Sequence, residues 1–219
     1  MFRNTNQIQT QAKITIIGDA NCGKTSFKNS LNIYKDIEYR FNKKYKPTID
    51  DSRKVLNFSS INDDLTVYLY DTVGQEKLQD YDNLTRLDTI KGSNGVIILY
   101  DLNNEDSFNH INYWVKEIYK IDRNIPIIIL GNKMDLVEDS YSDDLKHSEY
   151  YKLKNYCSNL KINCYIGLIS IKRNEFYGKK SNMNFTLKTN KNEFYKNGVL
   201  IPFEYIFSKM NNQNIKLNV

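Results

Sequence analysis

Apolar and polar positions along this chain follow two rhythms. Val96 to Tyr100 and Ile125 to Leu130 are continuous apolar runs, the pattern of strands covered on both faces. Between them, Glu105 to Asp122 places Phe108, Ile111, Val115, Ile118 and Tyr119 at helical spacing. Ala12 to Ile17 predicts a first strand ending at a Gly18 turn, with a helix beginning near Lys24. Lys54 to Ser59 and Leu65 to Tyr70 predict two neighbouring strands joined by the turn-rich Ser60 to Asp64. Cys164 to Ile169 predicts a sixth strand, and Val199 to Met210 a last helix. The alternation predicts an α/β fold: a doubly wound, mostly parallel six-stranded sheet flanked by helices. From Arg173 to Asn197 the chain is polar, rich in Lys and Asn and without sustained periodicity. That predicts a mobile loop or, in the sharper alternative, a private docking site for a partner.

Composition narrows this picture only slightly. The 219 residues suit one domain with a sizeable core, and 40% hydrophobic with 26% charged residues describe a soluble surface. The net charge of +5 is mild and its lysines are scattered, so direct nucleic-acid binding has little behind it. Cys22, Cys157 and Cys164 show neither metal-ligand spacing nor a disulfide framework, which predicts a reduced, cytoplasmic setting. The start, Met1-Phe2-Arg3-Asn4, lacks the glycine needed for myristoylation and any apolar signal core. The apolar runs are too short to span a bilayer.

Candidate chemistry lies at the ends of the predicted strands. Gly18-Asp19-Ala20-Asn21-Cys22-Gly23-Lys24-Thr25 matches the phosphate-loop pattern between a strand and a helix, with Ser26 next in line. Its glycines let the backbone wrap phosphates and present N–H donors at a helix start. Lys24 is suited to the β- and γ-phosphates, and the Thr25 hydroxyl to Mg²⁺. Asp71-Thr72-Val73-Gly74-Gln75-Glu76 follows the strand Leu65 to Tyr70. There Asp71 can hold Mg²⁺ through water, the Gly74 N–H can approach a γ-phosphate, and Gln75 can orient an attacking water. Asn132-Lys133-Met134-Asp135 follows the strand Ile125 to Leu130. A carboxylate at Asp135 accepts from guanine N1–H and the 2-amino group, a donor pair that adenine lacks. Asn132 would bond the base and brace the phosphate loop, and the Lys133 stem would cover the ring.

In this order, together with Pro47-Thr48-Ile49 and Ser170-Ile171-Lys172, the blocks resemble the Ras superfamily of small GTPases. The chain is similar to a divergent Ras/Rab-like member over residues 12–211, with 1–11 as an N-terminal extension and 212–219 as a short tail. The resemblance implies that Thr48 completes a Mg²⁺ shell only when a γ-phosphate is present, so its loop is ordered by GTP and released on hydrolysis. A plain Pro-Thr strand entry is the alternative. Phe41 is a candidate for edge-on packing against guanine, or a core anchor. Ser170-Ile171-Lys172 departs from the family's Ser-Ala-Lys; the Ile171 N–H can still reach guanine O6, although its bulk puts the local packing in doubt. Ala20 stands where many relatives have glycine and projects toward the space used by Gln75 and an incoming arginine finger, an expectation of slow or poorly stimulated hydrolysis. The alternative is little effect, since other branches of the family accept a small side chain here. Relative to the family, 173–197 reads as an insertion. Asp101 to Trp114 is the more Rab-like stretch, while Pro47 to Ser52 is Ras-like.

The resemblance implies a GTP-hydrolysing switch with GTP/GDP and Mg²⁺ as ligands. Catalysis would rest on Gln75 and Lys24, and metal binding on Thr25, Thr48 and Asp71. Effector, exchange-factor and GTPase-activating proteins would engage the loops around Thr48 and from Gly74 to Asp82. Asn211 to Val219 contains no cysteine, so no intrinsic lipid anchor is expected, and membrane recruitment would need a partner. A guanine-nucleotide-bound scaffold with little hydrolysis is the competing expectation. An ATP-using P-loop kinase or ATPase is disfavoured by Asn132 to Asp135.

Overall fold

A computed structural model describes residues 10–31, 52–59, 64–72, 88–138, 143–173, 175–178, 186–187, 203, 205–207 and 209. In chain order the elements are β1 (Thr10–Ile17), α1 (Lys24–Ser30), β2 (Ser52–Ser59), β3 (Asp64–Asp71), β4 (Gly95–Asp101), α2 (Glu105–Asn109) and α3 (Ile111–Tyr119). They continue with β5 (Ile127–Asn132), α4 (Met134–Glu138), α5 (Asp143–Asn159), β6 (Cys164–Ser170), β7 (Glu175–Gly178) and β8 (Thr186–Leu187). The described residues of the last predicted helix, 203, 205–207 and 209, are helical. No helix among the described residues is long and apolar enough to cross a membrane.

The strands form one sheet in the order β7-β6-β5-β4-β1-β3-β2-β8. β1 runs parallel to both β3 and β4, β4 to β5, and β5 to β6. The chain therefore leaves β1 toward one side of the sheet and returns on the other. The loop after β1 sits at that reversal, where open α/β sheets hold their ligands.

Alternate residues of the central strands feed two cores. Ile14, Ile16, Ile97, Leu99, Ile128 and Leu130 face the layer that contains Phe27 of α1 and Phe203, whose rings stack 6.1 Å apart. Ile17, Val96, Ile98, Ile127 and Ile129 face Ile111, Trp114 and Ile118 of the α2–α3 segment and Leu153 and Cys157 of α5. Each such side chain contributes about 1.5–3 kcal/mol when fully buried, which explains why the central strands read as unbroken apolar runs.

Two expectations are corrected. The predicted helix Glu105 to Asp122 is divided at His110, whose backbone (φ −72°, ψ −8°) closes α2 and opens α3. The Asn104 side chain caps α2 by accepting from the Asp106 and Ser107 N–H groups, so the start is sequence-encoded. The sheet has eight strands rather than six. Both additions come from the segment 173–197 that was expected to be a loop without pattern. β7 pairs antiparallel with β6, and β8 antiparallel with β2. The reason is local: Phe176 stacks on Tyr165 and Tyr177 packs edge-on to Tyr150, and the sheet's open edges supply unpaired N–H and C=O groups.

Lys54 on β2 donates from Nζ to the Lys28 carbonyl (2.7 Å), in a half-buried place beside the Lys28 ammonium. Burial first, and then that like charge, bring its pKa down from 10.5 to about 8. Between those two pH values the unfolded chain keeps a proton that the folded chain releases, so this group makes stability rise with pH. Urea midpoints measured at pH 7.5 and 9.5 should show that rise in the wild type and a flatter response in Lys54→Met; equal slopes would remove Lys54 as the source.

Candidate functional site

The loop between β1 and α1 is built on two glycines with positive φ. Gly18 (φ +136°) lies so close to β4 that an added Cβ would sit 2.0 Å from the Leu99 carbonyl oxygen. Gly23 (φ +101°) meets Asn132 in the same way, with 2.3 Å from such a Cβ to Nδ2. A side chain at Gly18 demands backbone displacement and one at Gly23 a shift of the Asn132 amide, and at both positions the conformation is disfavoured for any residue but glycine. The loop curls round the ammonium of Lys24, which is buried and donates to the Gly18 and Asp19 carbonyls at 2.7 Å each. Burial pushes the Cys22 thiol up, so that side chain is a neutral packing group. Ala20 and Ser26 are half-buried and Asn21 is exposed at φ +59°.

The buried carboxylate of Asp19 is held from α3 and from His110, the residue that opens that helix. Trp114 Nε1 donates to Oδ1 at 2.7 Å, and His110 Nδ1 lies 2.7 Å from Oδ2. Motif matching missed both residues. They stand one helical turn apart, which puts them on one face, but nothing in the sequence says that this face meets Asp19.

Asp71, at the end of β3, is fully buried, and its two oxygens differ. Oδ2 accepts from the Thr25 hydroxyl at 2.7 Å and pairs with Lys28 Nζ at 3.2 Å. Oδ1 has no hydrogen-bond partner among the described residues. A sequestered carboxylate oxygen left unsatisfied beside a threonine hydroxyl is donor chemistry suited to Mg²⁺ and its waters, so these residues fit that cation. Lys28 was not anticipated. It lies four residues after Lys24 on the same face of α1, and that spacing is the signal that could have found it.

The third group of side chains gathers at the ends of β5 and β6. Asn132 donates from Nδ2 to the Cys22 carbonyl at 2.9 Å, tying the end of β5 to the phosphate loop, while its Oδ1 lacks a partner among the described residues. Asp135 is buried; Ser170 donates to its Oδ1 at 2.8 Å, and Lys172 Nζ approaches Oδ2 at 3.4 Å. Ser170 also accepts from the Arg173 N–H at 3.1 Å, which orients its hydroxyl. Lys133 adopts φ +66° and pairs with Asp101 at 2.7 Å. The bulk of Ile171, doubtful from sequence, is taken up in the core that contains Phe27.

The structure thus brings together Gly18 to Thr25, Asp71, Asn132, Asp135 and Ser170 to Lys172. Phe41, Thr48, Gly74 and Gln75 lie outside the described residues.

A doubly wound sheet with a lysine-filled glycine loop at its reversal point defines a P-loop nucleotide-binding class of protein. Comparison with known proteins gives the family. The Ras family model matches residues 13–195, and the chain belongs to that family. Ras-related protein Rab-32D of Dictyostelium discoideum is 34% identical over 163 residues, 71% of this chain and 64% of that protein. Ras-related protein Rab-21 of Geodia cydonium is 31% identical, over 71% of this chain and 66% of its own. Rab-21 of Homo sapiens is 32% identical over 69% of this chain and 65% of its own. The matches therefore span a little under two thirds of these relatives' lengths. That all three are Rab-related agrees with the Rab-like character of Asp101 to Trp114.

Replacing Trp114 by Phe removes one of the two hydrogen bonds that hold the Asp19 carboxylate while keeping most of the apolar contact. A bond to a buried charge is worth about 1.5–3 kcal/mol, so urea unfolding should show a loss of that order. A loss below about 0.5 kcal/mol would mean that the indole N–H does not anchor the loop.

Proposed function

We propose that this chain is a guanine-nucleotide switch that binds GTP and GDP with Mg²⁺ and hydrolyses GTP. The observation that carries the proposal is the Asn132–Cys22 hydrogen bond, because it ties the base-reading segment to the phosphate loop at one end of the sheet. A nucleoside phosphate spans just such a pair of sites. Further support comes from membership of the Ras family.

In this reading the backbone of residues 18–25 cradles the phosphates, and Lys24 turns its ammonium from the loop carbonyls to phosphate oxygens. The buried Asp135 carboxylate, oriented by Ser170, accepts from the guanine edge, while the Ile171 N–H donates to O6. Lys133 and Lys172 supply apolar stems beside the base. Thr25, Thr48 and Asp71 are the residues to hold Mg²⁺, whose contribution is to neutralise charge that builds on the phosphates. Gln75 orients the attacking water. As the water oxygen bonds to the γ-phosphorus, the bond to the β–γ bridging oxygen breaks, and the water's protons end on solvent and the released phosphate. The loops carrying Thr48 and Gly74 would change with the γ-phosphate and so present a different surface to effectors and regulators.

Single-turnover hydrolysis of bound GTP with Mg²⁺, beside an ATP control, tests this reading. Slow GTP turnover that falls at least about tenfold in Gln75→Leu, with binding retained, supports it. Binding without turnover would instead favour a scaffold, and Ala20→Gly would then be the first reversion. Asp135→Asn should move preference from guanine toward xanthine nucleotides, since the amide can donate to a 2-oxo group. Undiminished guanine preference in that variant would remove Asp135 from base recognition.

A further inference from the structure

Thr25 and Asp71 form a small polar centre between α1 and β3, and a second cation is already part of it. The Lys28 ammonium lies 3.2 Å from Asp71 Oδ2, with only 7% of its side chain exposed against 0% for the aspartate. It shares that oxygen with the Thr25 hydroxyl, one of the groups suited to Mg²⁺. The Lys28 carbonyl in turn holds the Lys54 ammonium, so a second positive charge lies beside the same turn of α1. Charge at this place is costly. An ammonium taken out of water loses hydration that only good partners replace, and an apolar side chain of similar size would pack α1 against β3 without that cost.

We propose that Lys28 is a built-in rival of Mg²⁺ for Asp71: its ammonium neutralises the carboxylate in the absence of metal and weakens metal binding beside the phosphates.

This inference rests on the guanine-nucleotide reading and adds a property of the site. One carboxylate provides one negative charge, and Lys28 cancels most of it before a divalent cation arrives. Both positive charges then lie close together in a place of low polarity, where their repulsion is weakly screened. The consequence is a nucleotide held with little help from its metal. GDP should leave readily at Mg²⁺ concentrations that would retain it in a protein with a neutral side chain here.

The test uses the full chain loaded with a fluorescent GDP analogue and compares wild type, Lys28→Met and Lys28→Arg. Nucleotide release is followed against free Mg²⁺, and metal binding is titrated directly by calorimetry. Lys28→Met should bind Mg²⁺ about tenfold or more tightly and release GDP correspondingly more slowly at the same Mg²⁺, while Lys28→Arg stays with the wild type. Mg²⁺ should also raise the melting temperature of Lys28→Met more than that of wild type, because at a given concentration a metal that binds more tightly stabilises the folded state more, with the logarithm of its affinity. Coincident Mg²⁺ curves for all three proteins, with nucleotide still bound, would overturn the proposal and leave the switch reading intact. Failure of the wild type to bind GDP at any Mg²⁺ concentration would overturn both. If Lys28→Met does not fold, Lys28→Arg identifies the Lys28 signal in ε-¹⁵N-lysine spectra of the wild type. Movement of that signal when Mg²⁺ is added to the GDP complex supports the rivalry; an unmoved signal overturns it.

Discussion

The approach of two backbones at Gly18 and Leu99 is the contact on which the rest of the site depends. With a hypothetical Cβ only 2.0 Å from the Leu99 oxygen, the loop lies directly against β4, with no side chain between them. That closeness makes the turn out of β1 tight and brings the Gly18 and Asp19 carbonyls round Lys24. It also brings Cys22 within reach of Asn132, so the far end of β5 and the loop share a hydrogen bond. A loop standing further from the sheet would have neither its central ammonium nor its brace. The sheet supplies the rigidity: β4 and β5 are buried along nearly their whole length and hold these partners in fixed register.

Three buried carboxylates around this loop show how similar groups serve different ends. Asp19 has the Trp114 indole on one oxygen and the His110 ring on the other, which makes it an anchor between the loop and α3. Asp135 is oriented by Ser170 on one oxygen and has the half-exposed Lys172 ammonium beside the other. Asp71 is the most lopsided, with one oxygen shared by Thr25 and Lys28 and the other without a partner among the described residues. A fold selected for stability alone would not carry so many sequestered charges, because well-packed apolar groups serve at least as well. Their concentration at one end of the sheet marks where stability is exchanged for ligand chemistry.

Much of this was legible in the chain. The phosphate loop and the Asn132 to Asp135 segment are contiguous, so their chemistry is written in adjacent letters. The central strands showed themselves because both faces are covered and polar residues are excluded. The features that escaped are informative. α5 is rich in charge and buries Leu153 and Cys157 on a narrow strip, too little periodicity to stand out. β7 and β8 lie in a polar stretch and owe their form to sheet edges already present. The Asp19 partners are 91 and 95 residues away in sequence, and no local pattern encodes a contact made only when the sheet and α3 come together.

Lys28 shows the limit of motif reasoning from another direction. It lies only four positions from Lys24, yet the phosphate-loop pattern ends at Thr25 and treats the residues beyond it as ordinary helix. On α1, however, a spacing of four returns a side chain to the same face, and here that face looks toward Asp71. The pattern therefore defines what class of ligand the loop can hold, while the next turn of the helix sets the charge environment in which it is held. Two chains with identical phosphate loops could differ widely in their dependence on Mg²⁺ through this one position. The individuality of such a protein is written beside its motifs, at positions that share a face with them.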